Sequence, residues 1–412
     1  MDLARDYFTS ARPGAMKQAF ATWSLDGAQR WLENLGLVME IEESTGKYFP
    51  ESGSAREVRD VILHGCLDRG VKVRYESSVV GLRRQCPGHT GGEDAVQCGW
   101  VCELADGEEV TADRVILAMG GSSFPKIGTT GEGYQLLKRL GHSLIGPYPA
   151  LTPLVGPHPG DAKLAGISLE VDLAVRLAAE TRKKGDARIR RRAGKTRAIE
   201  SNRPGLLFTH RGYSGPAVLD ASHMAVLAME EARSNGGEST AGDGTEPPLL
   251  PPVEINWTGA SRAQWAETLA KANGPGYSPL VAGRLKRALP NRLADALTVE
   301  VGLPVDARVA ELRKDHREAL LDALTKYRLP YTGHRGYGLA EVTGGGVPLT
   351  EVDVRTWESN LLPGVHIVGE LLDCFGRIGG YNFFSAWTFG RAAGFAAASS
   401  EGTVARPDDD LD

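Results

Sequence analysis

Chemistry in this sequence concentrates at two glycine-rich bends far apart along the chain. The first is Ala118-Met119-Gly120-Gly121, at the end of the apolar run Val115 to Met119. Glycines at the end of a strand let a flat or phosphorylated ligand lie against bare backbone, because no Cβ intervenes. The second begins at Gly369-Glu370, passes Asp373 and ends in Gly376-Arg377-Ile378-Gly379-Gly380-Tyr381-Asn382, where an apolar helix opens. Free N–H groups and the positive dipole end of that helix would stabilise a phosphate, or the N1/C2 carbonyl edge of a reduced flavin. Either bend alone also reads as a tight turn without a ligand. The run of strand, glycine turn, acid and second glycine turn is what favours a site.

The elements that must position these bends alternate helix and strand. Ser54-Ala55-Arg56-Glu57 has the capping-box pattern, and Val58, Val61, Ile62, Gly65 and Cys66 then repeat on one helical face until Gly70. Val71 to Glu76 reads as a strand, and the order helix, turn, strand implies a parallel sheet. Trp100 to Leu104 with the turn Asp106-Gly107 reads as a hairpin, Val115 to Met119 as a buried strand, and Glu132 to Leu140 as a helix. From Pro147 the texture changes to proline-rich and β-branched, and residues 233–252 are low-complexity. Helical segments fill about 260–328, and strand character returns at Val365 to Glu370. The expected architecture is α/β. Residues 1–147 and 340–412 build one doubly wound sheet around an insert, β-rich over 148–255 and helical over 256–339.

Composition bounds the function. Of 412 residues 42% are apolar and 24% charged, with a net charge of -5, which excludes a disordered, fibrous or globally nucleic-acid-coating chain. The nine basic residues within 182–197 stand against one Asp; they could contact the phosphates of nucleic acid or the 2′-phosphate of NADPH, but with no interleaved aromatics in an acidic chain they read rather as a solvated loop tip. Nucleic acid is therefore not the expected partner. Cys66, Cys86, Cys98, Cys102 and Cys374 contain no C-x-x-C pair and leave an odd one, which argues against a disulfide framework or zinc site and for a reducing compartment. No apolar run has the length of a signal core or a membrane span, so the expected location is cytoplasmic, with no membrane partner.

Residues 115–146, 206–222 and 340–394, in this order and spacing, together resemble the BaiN-like family of NAD(P)/FAD-dependent oxidoreductases. Residues 48–82 are similar to that family's segment before the first glycine turn. The resemblance implies an FAD/NAD(P)-binding sheet interrupted by a substrate domain containing a β-barrel and helices. It implies hydride transfer through FAD, between a nicotinamide or organic donor such as NAD(P)H and a small organic acceptor. Carried over position by position, Val79 would lie by the adenine, and Met119, Gly120 and Gly121 along the cofactor. Gly369 and Glu370, with Asp373 beside them, would lie by the ribityl-pyrophosphate, and Gly379, Gly380, Tyr381 and Asn382 would meet the isoalloxazine. Thr343, Gly345 and Gly346 resemble a loop facing the ring from the substrate side. Tyr381, His210 and Arg211 are the expected catalytic candidates, although His210, Arg211 and Ser214 also read as a turn fixing a domain corner. Cys374 reads as a redox thiol or a small packed residue.

One departure stands out. Members of that family open with a G-x-G-x-x-G phosphate loop, and no G-x-G in this sequence is followed three residues later by Gly or Ala. Roughly one βαβ unit is expected to be missing ahead of Met1, which would leave the strands at 115–119 and 365–369 without a neighbour. Two readings follow: a flavoenzyme of which this is the larger part, or a chain that has lost tight FAD binding and serves as a binding or scaffold protein.

Overall fold

The computed structural model describes residues 3–43, 46–86, 98–127, 129–177, 197–201, 205–235, 250–270 and 278–399. Most of the basic run at 182–197 and of the low-complexity stretch at 233–252 lies outside them. The chain divides into two units, Met1–Pro147 with Val342–Asp412, and Tyr148–Glu341.

In the first unit, α1 (Pro13–Phe20) buries Met16, Ala19 and Phe20, and α2 (Leu25–Asn34) starts where the Ser24 hydroxyl accepts the Gly27 N–H at 3.0 Å. Helix α3 (Ala55–Asp68) is capped by Ser54, which accepts the Glu57 N–H at 3.4 Å; the Glu57 carboxylate takes the Ser52 hydroxyl instead of closing the box. None of its residues is buried. Val71 to Glu76 was expected as a strand and is not one: it joins no ladder, and Val71, Val73 and Tyr75 are exposed. Alternation alone does not make a strand, because the extended backbone is held by a partner's N–H and C=O groups.

Strands β1 (Val79–Gln85), β2 (Gly99–Leu104) and β3 (Glu109–Ala112) form an antiparallel meander, with Trp100 opposite Ala112 and the turn at Gly107 in the left-handed region. The β1–β2 register sets Gln85 opposite Gly99, so Cys86 and Cys98 meet just beyond the last rung. They form a disulfide, contrary to the expectation from cysteine count. Strand β4 (Val115–Leu117) and helix α4 (Glu132–Arg139) follow.

The second unit contains β5 (Leu154–Val155), β6 (Ser168–Glu170), β7 (Asp172–Leu177), β8 (Arg197–Ser201), β9 (Gly205–Thr209), β10 (Gly212–Ser214), α5 (Pro216–Asn235), β11 (Val253–Asn256), α6 (Arg262–Thr268), α7 (Asn291–Glu300), α8 (Lys314–Thr325), β12 (Tyr327–Arg328) and β13 (Gly333–His334). The strands order as two open antiparallel sheets, β6-β9-β10-β5-β13 and β8-β7-β11-β12. The expected barrel is not found among the described residues. Helices supply the opposing face instead: Leu173, Val175, Val253 and Ile255 share one core with Leu293, Leu297, Leu320 and Leu324, so the sheets bury their inner faces without closing.

The chain then completes the first unit with β14 (Val342–Gly346), β15 (Val365–Ile367), β16 (Phe375–Gly376) and α9 (Tyr381–Ala398). β15 pairs in parallel with β4, Val365 opposite Val115 and Ile367 opposite Leu117. Its other edge is taken by Trp357–Ser359, with Ile367 N–H donating to Trp357 O at 2.9 Å and Ser359 N–H to Val365 O at 2.8 Å. Thus β15 is fully buried and has neighbours on both sides, unlike the expectation. β4 pairs on one side only among the described residues, and Ile116 is 40% exposed. β16 pairs with Tyr7–Phe8, and α9 packs Phe384 and Phe389 against Phe20 and Trp357. Among the described residues no helix is long and apolar enough to cross a membrane.

Candidate functional site

The two bends of the first unit converge through Thr343. Strand β4 runs into Gly120, whose positive φ turns the chain, and then Gly121. The Thr343 hydroxyl, on β14, accepts the Ser122 N–H at 2.7 Å and lies 3.1 Å from the Ser123 hydroxyl. Thr343 N–H donates to Glu370 Oε2 at 3.0 Å. A Cβ at Gly121 would collide with both Thr343 Oγ1 and Glu370 Oε2, so glycine there is what lets the bends touch. Thr129 donates to Gly121 O at 2.6 Å and Tyr134 to Glu370 O at 2.5 Å, fixing both carbonyls. Burial pushes the Glu370 carboxyl above the usual carboxylate range, against the opposing pull of Thr343. Gly345 and Gly346 sit at positive φ with backbone carbonyls where a Cβ would be, so they serve close packing of main chain. Met119 lies near Gly133 and Leu371.

The second bend is held by Asn382, whose Oδ1 accepts the Gly376 N–H at 2.7 Å and whose Nδ2 donates to Gly376 O at 3.0 Å. Gly380 precedes α9 in the left-handed conformation and offers no side-chain cap, and the first turn holds no acid. That helix end therefore keeps its positive dipole uncompensated by side chains. Gly369 and Gly380 have open space where a Cβ would stand, and Gly379 is also at positive φ. Tyr381 is half-buried; its carbonyl accepts the Tyr7 hydroxyl at 2.8 Å, and the two rings meet edge-on.

The remaining expected residues are distributed. Asp373 is buried and its Oδ2 receives the Ser10 N–H at 2.8 Å and hydroxyl at 2.5 Å, so it fastens residues 9–10 to the second bend. Cys374 packs 3.7 Å from the Met16 sulfur, and burial pushes its thiol up, the behaviour of a packed residue. Val79 opens β1 at a register shift, next to Val80, whose carbonyl accepts from Arg139 at 2.9 Å. His210 and Arg211 belong to the second unit, at the turn between β9 and β10. Sequence reasoning missed Ser122, Ser123, Thr129 and Tyr134. Only the hydroxyl pair directly after Gly121 offered a signal.

Open backbone at Gly369 and at Gly380, the latter at the uncapped start of α9, suits a flat, negatively charged group such as a flavin. For the pyrophosphate end the sequence holds no G-x-G-x-x-G. The HI0933-like protein Rossmann domain family matches residues 3–396. The chain belongs to that family. Its fold is accordingly a Rossmann-like α/β fold, and the resemblance read from the glycine bends stands. The chain is 30% identical over 367 residues to the 3-dehydro-bile acid delta(4,6)-reductase of Clostridium scindens, covering 89% of this chain and 78% of that one. It is 27% identical over 395 residues to the ribosomal RNA dihydrouridine synthase of Haemophilus influenzae, covering 94% and 83%. It is also 27% identical over 351 residues to the protein of that name from Escherichia coli, covering 84% and 73%. The family membership and the reductase relative together support an oxidoreductase of flavoprotein type.

Proposed function

We propose that this chain is a flavin-dependent reductase that saturates a carbon–carbon double bond conjugated with a carbonyl. The observation that carries the proposal is the meeting of Gly120-Gly121 and Gly369-Glu370 at Thr343, in the unit where α9 opens without a cap. The relatives' names support the substrate chemistry. A dihydrouridine is uridine with its ring double bond reduced, and a delta(4,6)-reductase of a 3-dehydro-bile acid acts on double bonds conjugated with a ketone. Bound FAD would carry hydride from NAD(P)H to such an acceptor.

The protein's own residues bind and orient. The N–H groups opening α9 would favour negative charge on the ring edge. Glu370, held by Thr343, would accept ribityl hydroxyls, and the Ser122 N–H and Ser123 hydroxyl, both at the Thr343 hydroxyl, hold the first bend in place. We assign delivery of the proton that completes saturation to Tyr381, on the strength of its half-exposed phenol at the helix start.

Titration of the purified chain with FAD tests this. The expected result is the two-banded absorption of a protein-held oxidised flavin, bleached anaerobically by NAD(P)H and restored by an enone steroid or by uridine-containing RNA. A folded, colourless chain that turns over neither acceptor overturns the proposal and leaves the scaffold role.

A further inference from the structure

The second unit contains a cavity of about 650 Å³ lined by Gly156, His158, Asp161, Lys163, His210 and Arg292, among others. Its wall is the loop 156–165, fastened at four points. Gly156 N–H donates to Arg211 O at 3.1 Å, Tyr213 OH to Pro157 O, Gly160 N–H to the Glu300 carboxylate, and Arg292 Nη1 to Lys163 O at 2.8 Å. Gly160 and Asp161 both adopt positive φ, a costly conformation for Asp161 that those contacts over-determine. His158 is fixed as well. Its Nδ1 lies 3.2 Å from both the Leu164 N–H and the Ala162 carbonyl, and its ring packs edge-on against Phe208.

The charge along this wall is unbalanced, and Asp161, Lys163, His210 and Arg292 are all exposed. Lys163 and Arg292 face one carboxylate, Asp161, and neither cation forms an ion pair among the described residues. His210 has no hydrogen-bond partner among them either. A guanidinium whose Nη1 holds the Lys163 carbonyl and which has no carboxylate partner among the described residues, an ammonium and two imidazoles around one hollow match the oxygens of a phosphate or carboxylate group.

We infer that this cavity is a binding site for the oxyanion group of a small molecule, with Arg292 and Lys163 as its charge partners and the imidazoles of His210 and His158 lining it. A preorganised wall lowers the ordering cost of such binding. The site rests on the second unit alone and is independent of flavin binding.

Calorimetric titration of the full chain with phenyl phosphate, benzoate and inorganic phosphate tests it, and the arms separate phosphate from carboxylate recognition. Saturable binding of at least one probe is expected, weakened about tenfold or more in Arg292→Gln and in Lys163→Gln. The second variant leaves the Lys163 carbonyl, and so the loop's tether, intact. Lys126→Gln, an exposed cation of the first unit, should bind like the unaltered chain. Absence of saturable binding of all three probes overturns the inference, as does an equal loss in Lys126→Gln.

Discussion

Glu370 joins the two bends, and its protonation should be visible in stability. Burial raises its folded pKa, so the folded chain holds this proton more tightly than the unfolded chain. Its stabilising contribution is then fully present below the unfolded carboxyl value of ~4.3 and is lost as pH rises through the folded value. Glu370→Gln keeps an oxygen for the Thr343 N–H and removes the titration. The melting temperature of the variant minus that of the unaltered chain should therefore increase with pH across this interval and level off above it. A difference constant with pH would show that Glu370 does not titrate as argued. Gly121 gives the steric counterpart. Thr343 is fully buried and cannot yield to a Cβ, so Gly121→Ala should cost about 1–3 kcal/mol in denaturant unfolding and lower FAD uptake in parallel. Unchanged stability with normal uptake would mean that the bends are not in contact.

Elements with local punctuation were legible. Ser54 and Gly70 bound α3, Asp106-Gly107 turns the β2–β3 hairpin, and the glycine pair before Tyr381 opens α9. Such signals act over a few residues, and sequence displays them directly. Contacts that depend on a distant partner were not legible. Asp373 reads as a cofactor ligand, yet its Oδ2 binds Ser10, more than 360 positions away. Val71 to Glu76 has a strand's alternation without a ladder. The Cys86–Cys98 bond follows from a register, Gln85 opposite Gly99, that cysteine counting does not contain. This bond closes a ring of sequence separation 12 just beyond the last rung of the β1–β2 pair, at the end where the chain connects the two strands, and loop-closure entropy predicts a stabilisation of about 2–4 kcal/mol. Cys86→Ser should shift the urea midpoint down by the equivalent amount under oxidising conditions, and reductant should bring the unaltered chain to the same midpoint. A reductant effect equally large in Cys86→Ser would assign it to some other group.

At the scale of the whole molecule, the two units have separate cores that share no residue. The core of the second is assembled from one continuous stretch. There β7 is bonded along both edges, to β8 and β11, and Leu173 and Val175 are fully buried. The first is assembled from both ends of the chain and depends on the parallel pair β4–β15. Of that pair, β15 is sheltered on both sides, whereas β4 has one bonded edge among the described residues and an exposed Ile116. The helix α3 nearby in sequence only half-buries its apolar stripe. Protection from exchange follows burial and ladder continuity, because opening a strand bonded on one side breaks fewer contacts. Amide hydrogens of Val115 to Leu117 should accordingly exchange about tenfold or more faster than those of Leu173 to Val175, with Val365 to Ile367 between them. Equal protection of β4 and β7 in the full chain would mean that the free edge of β4 is covered in solution, and self-association measured by sedimentation at the same concentrations would then identify a second copy as the cover.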